Sequence, residues 1–574
     1  MEINISNKDR FCKIRLWYKP VLFWIVCYVM TFGRYLYQGF EYYLQMDDYV
    51  QIGVPYTASE YWHYVCSAGL LNNRPLSWLL DGLLWSRFSE NWALALGLLT
   101  LLFVLSAFFF EKVFRRWFGT SSLFTLLYLL LPINFEGAYW ISASSRIVTS
   151  LFFVALSLWF LDRFIEKGGV WRLLVYFLFG LCSTGFYEQG IVLGVACSLL
   201  LMLFTLSGKF VQPKTKRAFA GFLSLVYAAC YFLFTSLQSN TGVNANRMII
   251  HVPWEPYYFE YMAAPIAKSI VQVGIKGTFL TYAKGFWRGC KEIVASPNFV
   301  WCVVILVALI ALFFCIRVPE KRKHGAGGAV LYGALIAAAP MVIFFFIGGT
   351  PWFSCRNFLP ALPGIALMLD ALILLCVRRK RLVMQILCVL FAFGACIAGI
   401  SETGDYRQTY LDDNTVVKAV LEAGGADDFG TNIKILNVSG SYLTDSNFMW
   451  NEHFHGATDS PWGMNGLFRY LTDTPASGWS VTPIPIDENG NMYVTWSNFR
   501  RITLTDHVYY YDPATKTARK VVQYPIETTD GTEQFAIYNE DGSYLATLVQ
   551  TNEWGNFVVE AVPSGGPLAG TAVS

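Results

Sequence analysis

Charge is what this chain has least of. Only 14% of its 574 residues are Asp, Glu, Lys or Arg, while 55% are apolar. A soluble domain carries roughly 25% charged residues, so a wholly water-soluble protein is excluded. Cysteine stops at residue 396, with all 13 at or before it and most inside apolar runs. No disulfide framework therefore holds the last third of the chain. Cys66, Cys290 and Cys355 are the thiols that fall in predicted outer loops. Histidine is scarce too: six in all, none in an apolar run, which disfavours a membrane acyltransferase built on an embedded histidine. No internal repeat is visible, although an alternating-access transporter is expected to show one. No nucleic acid is expected as a partner.

What is present divides in two. Residues 1–402 carry an excess of about fifteen positive charges and 403–574 an excess of about twelve negative ones. Apolar runs sit near 20–39, 92–111, 121–135, 139–162, 171–185, 188–207, 217–237, 299–316, 328–348, 357–377 and 381–401. Most approach the roughly 20 residues a helix needs to cross a bilayer; 121–135 and 171–185 are short. Basic clusters follow at Arg10 to Lys19, Lys112/Arg115/Arg116, Arg163/Lys167/Arg172, Lys209 to Arg217, Arg317 to Lys323 and Arg378 to Arg381. They fall on every second connection, which the positive-inside rule assigns to the cytoplasm.

The expected architecture is an all-α polytopic membrane domain of about eleven transmembrane helices, followed by an extracytoplasmic α+β domain that is mostly β. Residues 1–19 are a basic cytoplasmic N-terminus leading into a retained anchor rather than a cleaved signal. Residues 20–402 form the membrane domain, with outer loops 40–90 and 239–298, and 403–574 the outer soluble domain. Within the second loop, 259–293 is apolar but interrupted by Lys268, Lys276, Lys284 and Arg288, and is predicted to lie along the outer interface. The acidic domain opens with a helical stretch, Asn414 to Ala423. Strands are predicted at Ile433–Val438, Met492–Trp496, Val521–Tyr524 and Phe557–Val562, with hairpin turns at Glu488-Asn-Gly490 and Asp541-Gly542. The whole is placed in a plasma (inner) membrane.

Chemistry is concentrated in the outer connections. Asp47 and Asp48 follow the first span, and a carboxylate at the membrane surface suits a general base; an ordinary solvated loop acid is the commoner use of such a pair. Arg74, in Asn72-Asn-Arg-Pro-Leu76, has the fork that binds phosphate, and equally the position of an interface anchor before a helix-starting proline. Glu136 lies in a short turn after Pro132, and Arg146 about two turns into the following helix, where an ionisable residue is a functional candidate by default. Glu188 occupies the next outer turn. Arg356, among aromatics and prolines, is placed to grip a lipid phosphate or to snorkel. Arg247 and His251 are weaker candidates in the second outer loop. Asp47, Asp48, Arg74, Glu136, Glu188 and Arg356 are all predicted on the outer face, where they could line one cavity.

That order of motifs resembles the multi-spanning GT-C glycosyltransferases, which take sugars from polyprenyl-phosphate donors. The resemblance covers roughly residues 20–380. It rests on the acidic pair Asp47–Asp48, on Arg74-Pro-Leu76, and on Pro132 and Glu136 before Trp140-Ile-Ser142. It ends on Arg356 ahead of Leu359-Pro-Ala-Leu-Pro363. The chain departs from the family pattern at Ser145-Arg146-Ile147 and at Tyr187-Glu188.

The resemblance implies a GT-C-like fold and transfer of a hexose or pentose from a polyprenyl-phosphate sugar donor. The acceptor would be a glycan, lipid or protein of the cell envelope. Asp47 or Asp48 would be the catalytic base and Arg356 the phosphate contact, with the Arg74 and Glu136 regions shaping the cavity. No cofactor is required, although two acids could help hold a divalent metal at Asp47/Asp48. A transporter or flippase of sugars or lipid-linked sugars, and a non-catalytic membrane scaffold, are the alternatives.

Overall fold

Each of the eleven apolar runs contains a helix among its described residues. The computed structural model describes residues 7–51, 57–67, 74–207, 214–237, 250–319, 326–346, 353–377, 380–439, 456–474, 478–486, 491–494, 502–526, 533–553 and 556–562. Seven helices are long and apolar enough to cross a membrane: Trp92–Phe118, Ile141–Lys167, Glu188–Ser207, Lys214–Ser236, Ala326–Phe345, Cys355–Cys376 and Arg381–Gly425. An eighth candidate is a helix bent by 47° between Ser122–Leu130 and Pro132–Tyr139. The three remaining runs, Lys19–Gly33, Val170–Thr184 and Phe299–Cys315, form shorter apolar helices. Their full crossing, and hence a count of eleven, stays an expectation.

Contacts divide the chain into two units. One comprises Met1–Tyr42 with Tyr56–Thr403, the other Tyr43–Pro55 with Gly404–Ser574. Residues 43–55, predicted as part of the first outer loop, thus belong with the C-terminal unit.

In the first unit, sequence signals set the helix ends. Gly119 adopts a left-handed φ of 68° and closes the helix Trp92–Phe118, a conformation glycine takes without strain. Pro132, which cannot donate to the preceding turn, marks the bend. Ala326–Ala338 and Leu362–Cys376 pack closely because a Cβ on Gly364 would lie only 2.3 Å from the Ala337 nitrogen; such small-residue contacts let membrane helices approach without a hydrophobic drive. Phe299, Val300, Val303, Leu306, Val307, Ile310 and Phe314 stand exposed on the helix Phe299–Cys315. An apolar surface this continuous needs lipid to cover it. The chain is a membrane protein.

The segment 259–295 is helical, with wide turns at Phe259–Ala263 and Gln272–Gly277. It is not among the helices long and apolar enough to cross a membrane. Its Tyr282 hydroxyl donates to the Phe391 carbonyl, and Gly285 and Gly289 pack on Ala398 and Ile397.

The second unit is built on a closed eight-stranded barrel in the order β1-β2-β3-β8-β7-β6-β5-β4. The strands are β1 (Asn432–Ser439), β2 (Ser480–Ile486), β3 (Asn491–Val494), β4 (His507–Asp512), β5 (Thr517–Ile526), β6 (Glu533–Asn539), β7 (Tyr544–Glu553) and β8 (Asn556–Val562). β1 runs parallel to both β2 and β4, and every other pairing is antiparallel. Closure removes unpaired edges. Leu436, Ile484, Ile502, Val508, Val521, Phe535 and Ile537 form its core.

Gly542, at φ 80°, turns β6 into β7. The predicted turn at Glu488-Asn-Gly490 lies outside the described residues. The helix Pro461–Thr472, capped by Ser460 and opened by Pro461, packs on β2 and on the short helix Asp47–Gln51. The stretch Asn414 to Ala423, expected as a separate short helix, is the far end of the 40-residue helix Arg381–Val420 and the turn Leu421–Gly425. Gly404, the one glycine between Gly399 and Gly424, is tolerated inside it.

Candidate functional site

The short helix Pro75–Leu83 organises the candidate residues of the first unit. Proline at its first position leaves Arg74 as the cap residue. The helix start is sewn to the turn before Glu188: Leu76 N donates to the Gly185 carbonyl at 3.0 Å, and Ser77 Oγ to the Phe186 carbonyl at 2.9 Å. A side chain at Gly185 would strike Leu76, whose Cγ lies 2.6 Å from an added Cβ. Arg74 is thereby brought to Glu188, with Nη2 to Oε2 at 2.8 Å and Nε to Oε1 at 2.9 Å. Its guanidinium also lies over the Tyr187 ring, 4.7 Å from the centroid. Both partners keep access to solvent, at 20% and 17% exposure.

Seven residues further along the same helix, Asp81 receives Arg146. The Nη2–Oδ2 distance is 2.6 Å, and the two side chains are 0% and 5% exposed. Ser145 Oγ donates to Asp81 Oδ1 at 3.4 Å, and Trp78 lies under the guanidinium at 4.8 Å. Burial pushes the Asp81 carboxyl up, to about 6, against the pull of Arg146. Arg146 also donates to the Ser142 carbonyl one turn back.

The bend at Pro132 places Glu136. Proline interrupts the helix ladder, and polar side chains take up nearby carbonyls. Asn134 Nδ2 donates to those of Tyr128 and Leu129, both at 3.0 Å. Arg34, wholly buried, donates to that of Leu130 and to Asn134 Oδ1. Beyond the bend, Glu136 Oε2 accepts the backbone N–H of Arg356 at 2.9 Å. The Arg356 guanidinium lies over the Trp140 ring at 4.9 Å. A Cβ on Gly137 would be 3.3 Å from the Arg356 Cα, so glycine there permits the approach. The Cys355–Ala361 turn is held by a reciprocal cap between Ser354 and Asn357. Gln189, next to Glu188, donates to the carbonyls of Pro340 at 3.0 Å and Asn357 at 3.1 Å. Arg74–Glu188 and Glu136–Arg356 are therefore joined through one framework.

Other contacts hold the remaining candidates. Asp47 and Asp48 belong to the second unit. Asp48 is fully buried, and its Oδ2 accepts Gln45 N at 3.0 Å at the start of the short helix. Asp47 is partly exposed and accepts the Trp462 indole N–H at 3.0 Å. His251 pairs through its ring with Glu255 at 2.7 Å, and its backbone N–H donates to the Phe346 carbonyl. Arg247 lies outside the described residues. Among the described residues no group of three or more His, Cys, Asp or Glu is placed to hold a metal ion, and the Asp47/Asp48 pair offers only two carboxylates, each already accepting a hydrogen bond.

Sequence reasoning passed over Asp81, Gln189, Arg34 and Asn134. One signal was available for Asp81: a spacing of seven puts it on the same helix face as Arg74. Gln189 and Arg34 act through contacts distant in sequence, and Asn134 joins the local carbonyls at the bend to Arg34.

No family model matches the chain, and no curated protein does. Among solved structures, the chain is similar to ArnT from Cupriavidus metallidurans bound to undecaprenyl phosphate, with 12% identity and a TM-score of 0.40 over 95% of this chain and 98% of that one. It is similar to the same protein in the apo state at 14% identity and a TM-score of 0.37, over 94% and 97%.

Proposed function

We propose that this protein is a membrane glycosyltransferase that moves a sugar from a polyprenyl-phosphate donor to a cell-envelope acceptor on the outer face of the membrane. The observation that supports the reading is the joining of Arg74–Glu188 to Glu136–Arg356 through Gln189, which gathers residues from four distant stretches of the first unit. Two guanidiniums suit a lipid-linked phosphate: the forks bind its oxygens, Glu188 orients that of Arg74, and the Trp140 ring supports that of Arg356, whose backbone is held by Glu136. A hydroxyl oxygen of the acceptor attacks the anomeric carbon of the donor sugar. The bond from that carbon to the phosphate oxygen breaks, and the polyprenyl phosphate departs as a stable anion, so no protonating acid is required. The acceptor's proton goes to a carboxylate base. Asp47 is the better candidate of the acidic pair, because Asp48 is buried and committed to its own turn.

The test is transfer of labelled sugar from a panel of polyprenyl-phosphate sugars by the purified protein. Wild type is expected to turn over one donor. Asp47→Asn and Arg356→Ala should each lose at least about a hundredfold while remaining folded. Full activity in Asp47→Asn would remove its assignment as base, and the absence of both binding and hydrolysis with every donor would remove the glycosyltransferase reading.

A further inference from the structure

A cavity of about 340 Å³ lies at the opposite, basic ends of the membrane helices, lined by Phe164, Leu173, Ala220, Leu223, Lys216 and Arg217. Its floor is apolar and its charged lining is cationic. The nearby acids are already committed: Asp162 and Glu166 both pair with Arg116, and Glu166 also takes Lys214 at 3.0 Å. Lys216 is exposed and has no acidic partner among the described residues. Among the described residues Arg217 donates only to the Glu166 backbone carbonyl, at 3.4 Å. Its guanidinium lies across the turn at Gly168, where φ is +67° and an added Cβ would fall 2.9 Å from Cζ. Below the cavity the flanks are apolar and open, with Trp171 and Leu174 on one helix and Phe219 and Phe222 on the next all exposed.

We infer that this cavity is a binding site for one anionic phospholipid. Lys216 and Arg217 take the headgroup phosphate, Phe164, Leu173, Ala220 and Leu223 take the glycerol and upper chains, and the acyl tails run down the exposed flank. Charge complementarity selects an anion. The apolar floor and flank select an amphiphile over a soluble anion, which would leave them wet. The site stands apart from the proposed transfer chemistry and does not depend on it.

Native mass spectrometry of the full chain in detergent tests this, with titration of phosphatidylglycerol and phosphatidylcholine. Wild type is expected to retain one phosphatidylglycerol at least about tenfold more tightly than phosphatidylcholine. Lys216→Ala with Arg217→Ala should erase the preference, whereas Arg381→Ala, an exposed cation elsewhere, should leave it intact. Ala220→Phe, which narrows the cavity and keeps its charge, should also lower retention. It supplies the test if the double variant does not fold. Equal retention in wild type, the double variant and Ala220→Phe would overturn the site. So would displacement of the lipid by millimolar inorganic phosphate, which would assign the cations to a soluble anion, or an equal loss in Arg381→Ala, which would reduce the effect to surface charge.

Discussion

The helix Pro75–Leu83 is pinned at both ends by an ion pair, and the two pairs differ in one respect. At its start Arg74 meets Glu188 with both partners about one-fifth exposed. At its end Asp81 meets Arg146 with neither open to water. Each guanidinium also rests on an aromatic face, Tyr187 in one case and Trp78 in the other. The chemistry is the same and the access differs. A buried pair is strongly destabilising to break because the survivor is left charged and unsolvated. An accessible pair contributes little to stability and can exchange its partner for a ligand. The inner pair therefore reads as structure, and the outer as a site.

The largest expected effect follows from breaking the inner pair. Arg146→Ala should destabilise the protein by about 3–5 kcal/mol, because Asp81 stays buried without its partner. Asp81→Leu combined with Arg146→Met should recover most of that loss, since an apolar pair of similar volume carries no desolvation cost. Thermal midpoints in detergent measure both. An Arg146→Ala variant as stable as wild type would show that the pair is not holding the helix.

An intermediate effect is expected at Asp428 in the second unit, where Lys520, His507 and the Tyr509 hydroxyl surround a carboxylate that is 7% exposed. Burial alone would raise its pKa, but Lys520, Tyr509 and His507 hold it below the usual carboxylate range. A depressed value means that Asp428 contributes stability above its unfolded pKa of about 3.9 and loses that contribution as pH falls through the lower folded value. Asp428→Asn should cost about 2 kcal/mol at neutral pH. The gap between variant and wild type should narrow below about pH 4. Hydrogen exchange of β5, compared at matched pH so that intrinsic rates cancel, measures the gap. A gap constant down to pH 3 would mean that the ionised form is not the one stabilised.

Membrane character was legible in the sequence because apolar runs need no partner to be recognised. The same locality made Gly542 readable as a hairpin turn. The barrel was not legible: β1 is parallel to both β2 and β4, and a crossover pairing leaves no mark on either strand alone. The apolar run read from the sequence ends at residue 401, where charge begins, but the helix Arg381–Val420 continues, because polarity ends an apolar surface and not a helix. The site was legible only one residue at a time. Arg74 and Glu188 stand 114 residues apart and Glu136 and Arg356 stand 220 apart, so neither pairing has a local signature. Asp81 was overlooked because a lone acid in a short amphipathic stretch looks solvated until its helix is packed.

The smallest effect on stability is expected where the effect on function is sharpest. Arg74→Ala should lower stability by only about 1 kcal/mol, since its pair with Glu188 is partly exposed. Transfer from a polyprenyl-phosphate sugar should nevertheless fall at least about a hundredfold, because a phosphate would lose a fork already oriented by Glu188 and Tyr187. Arg74→Lys separates charge from geometry. Lysine keeps the cation but not the planar fork, so activity should sit between alanine and wild type, with the loss mainly in KM. Glu188→Gln should keep the protein folded and weaken the orientation of Arg74 rather than remove it, giving a milder loss than Arg74→Ala. If Arg74→Ala and Arg146→Ala prove equally destabilising, access to water is not what separates the two pairs. If Arg74→Ala is stable and fully active, the outer pair anchors a helix end and the phosphate is held elsewhere.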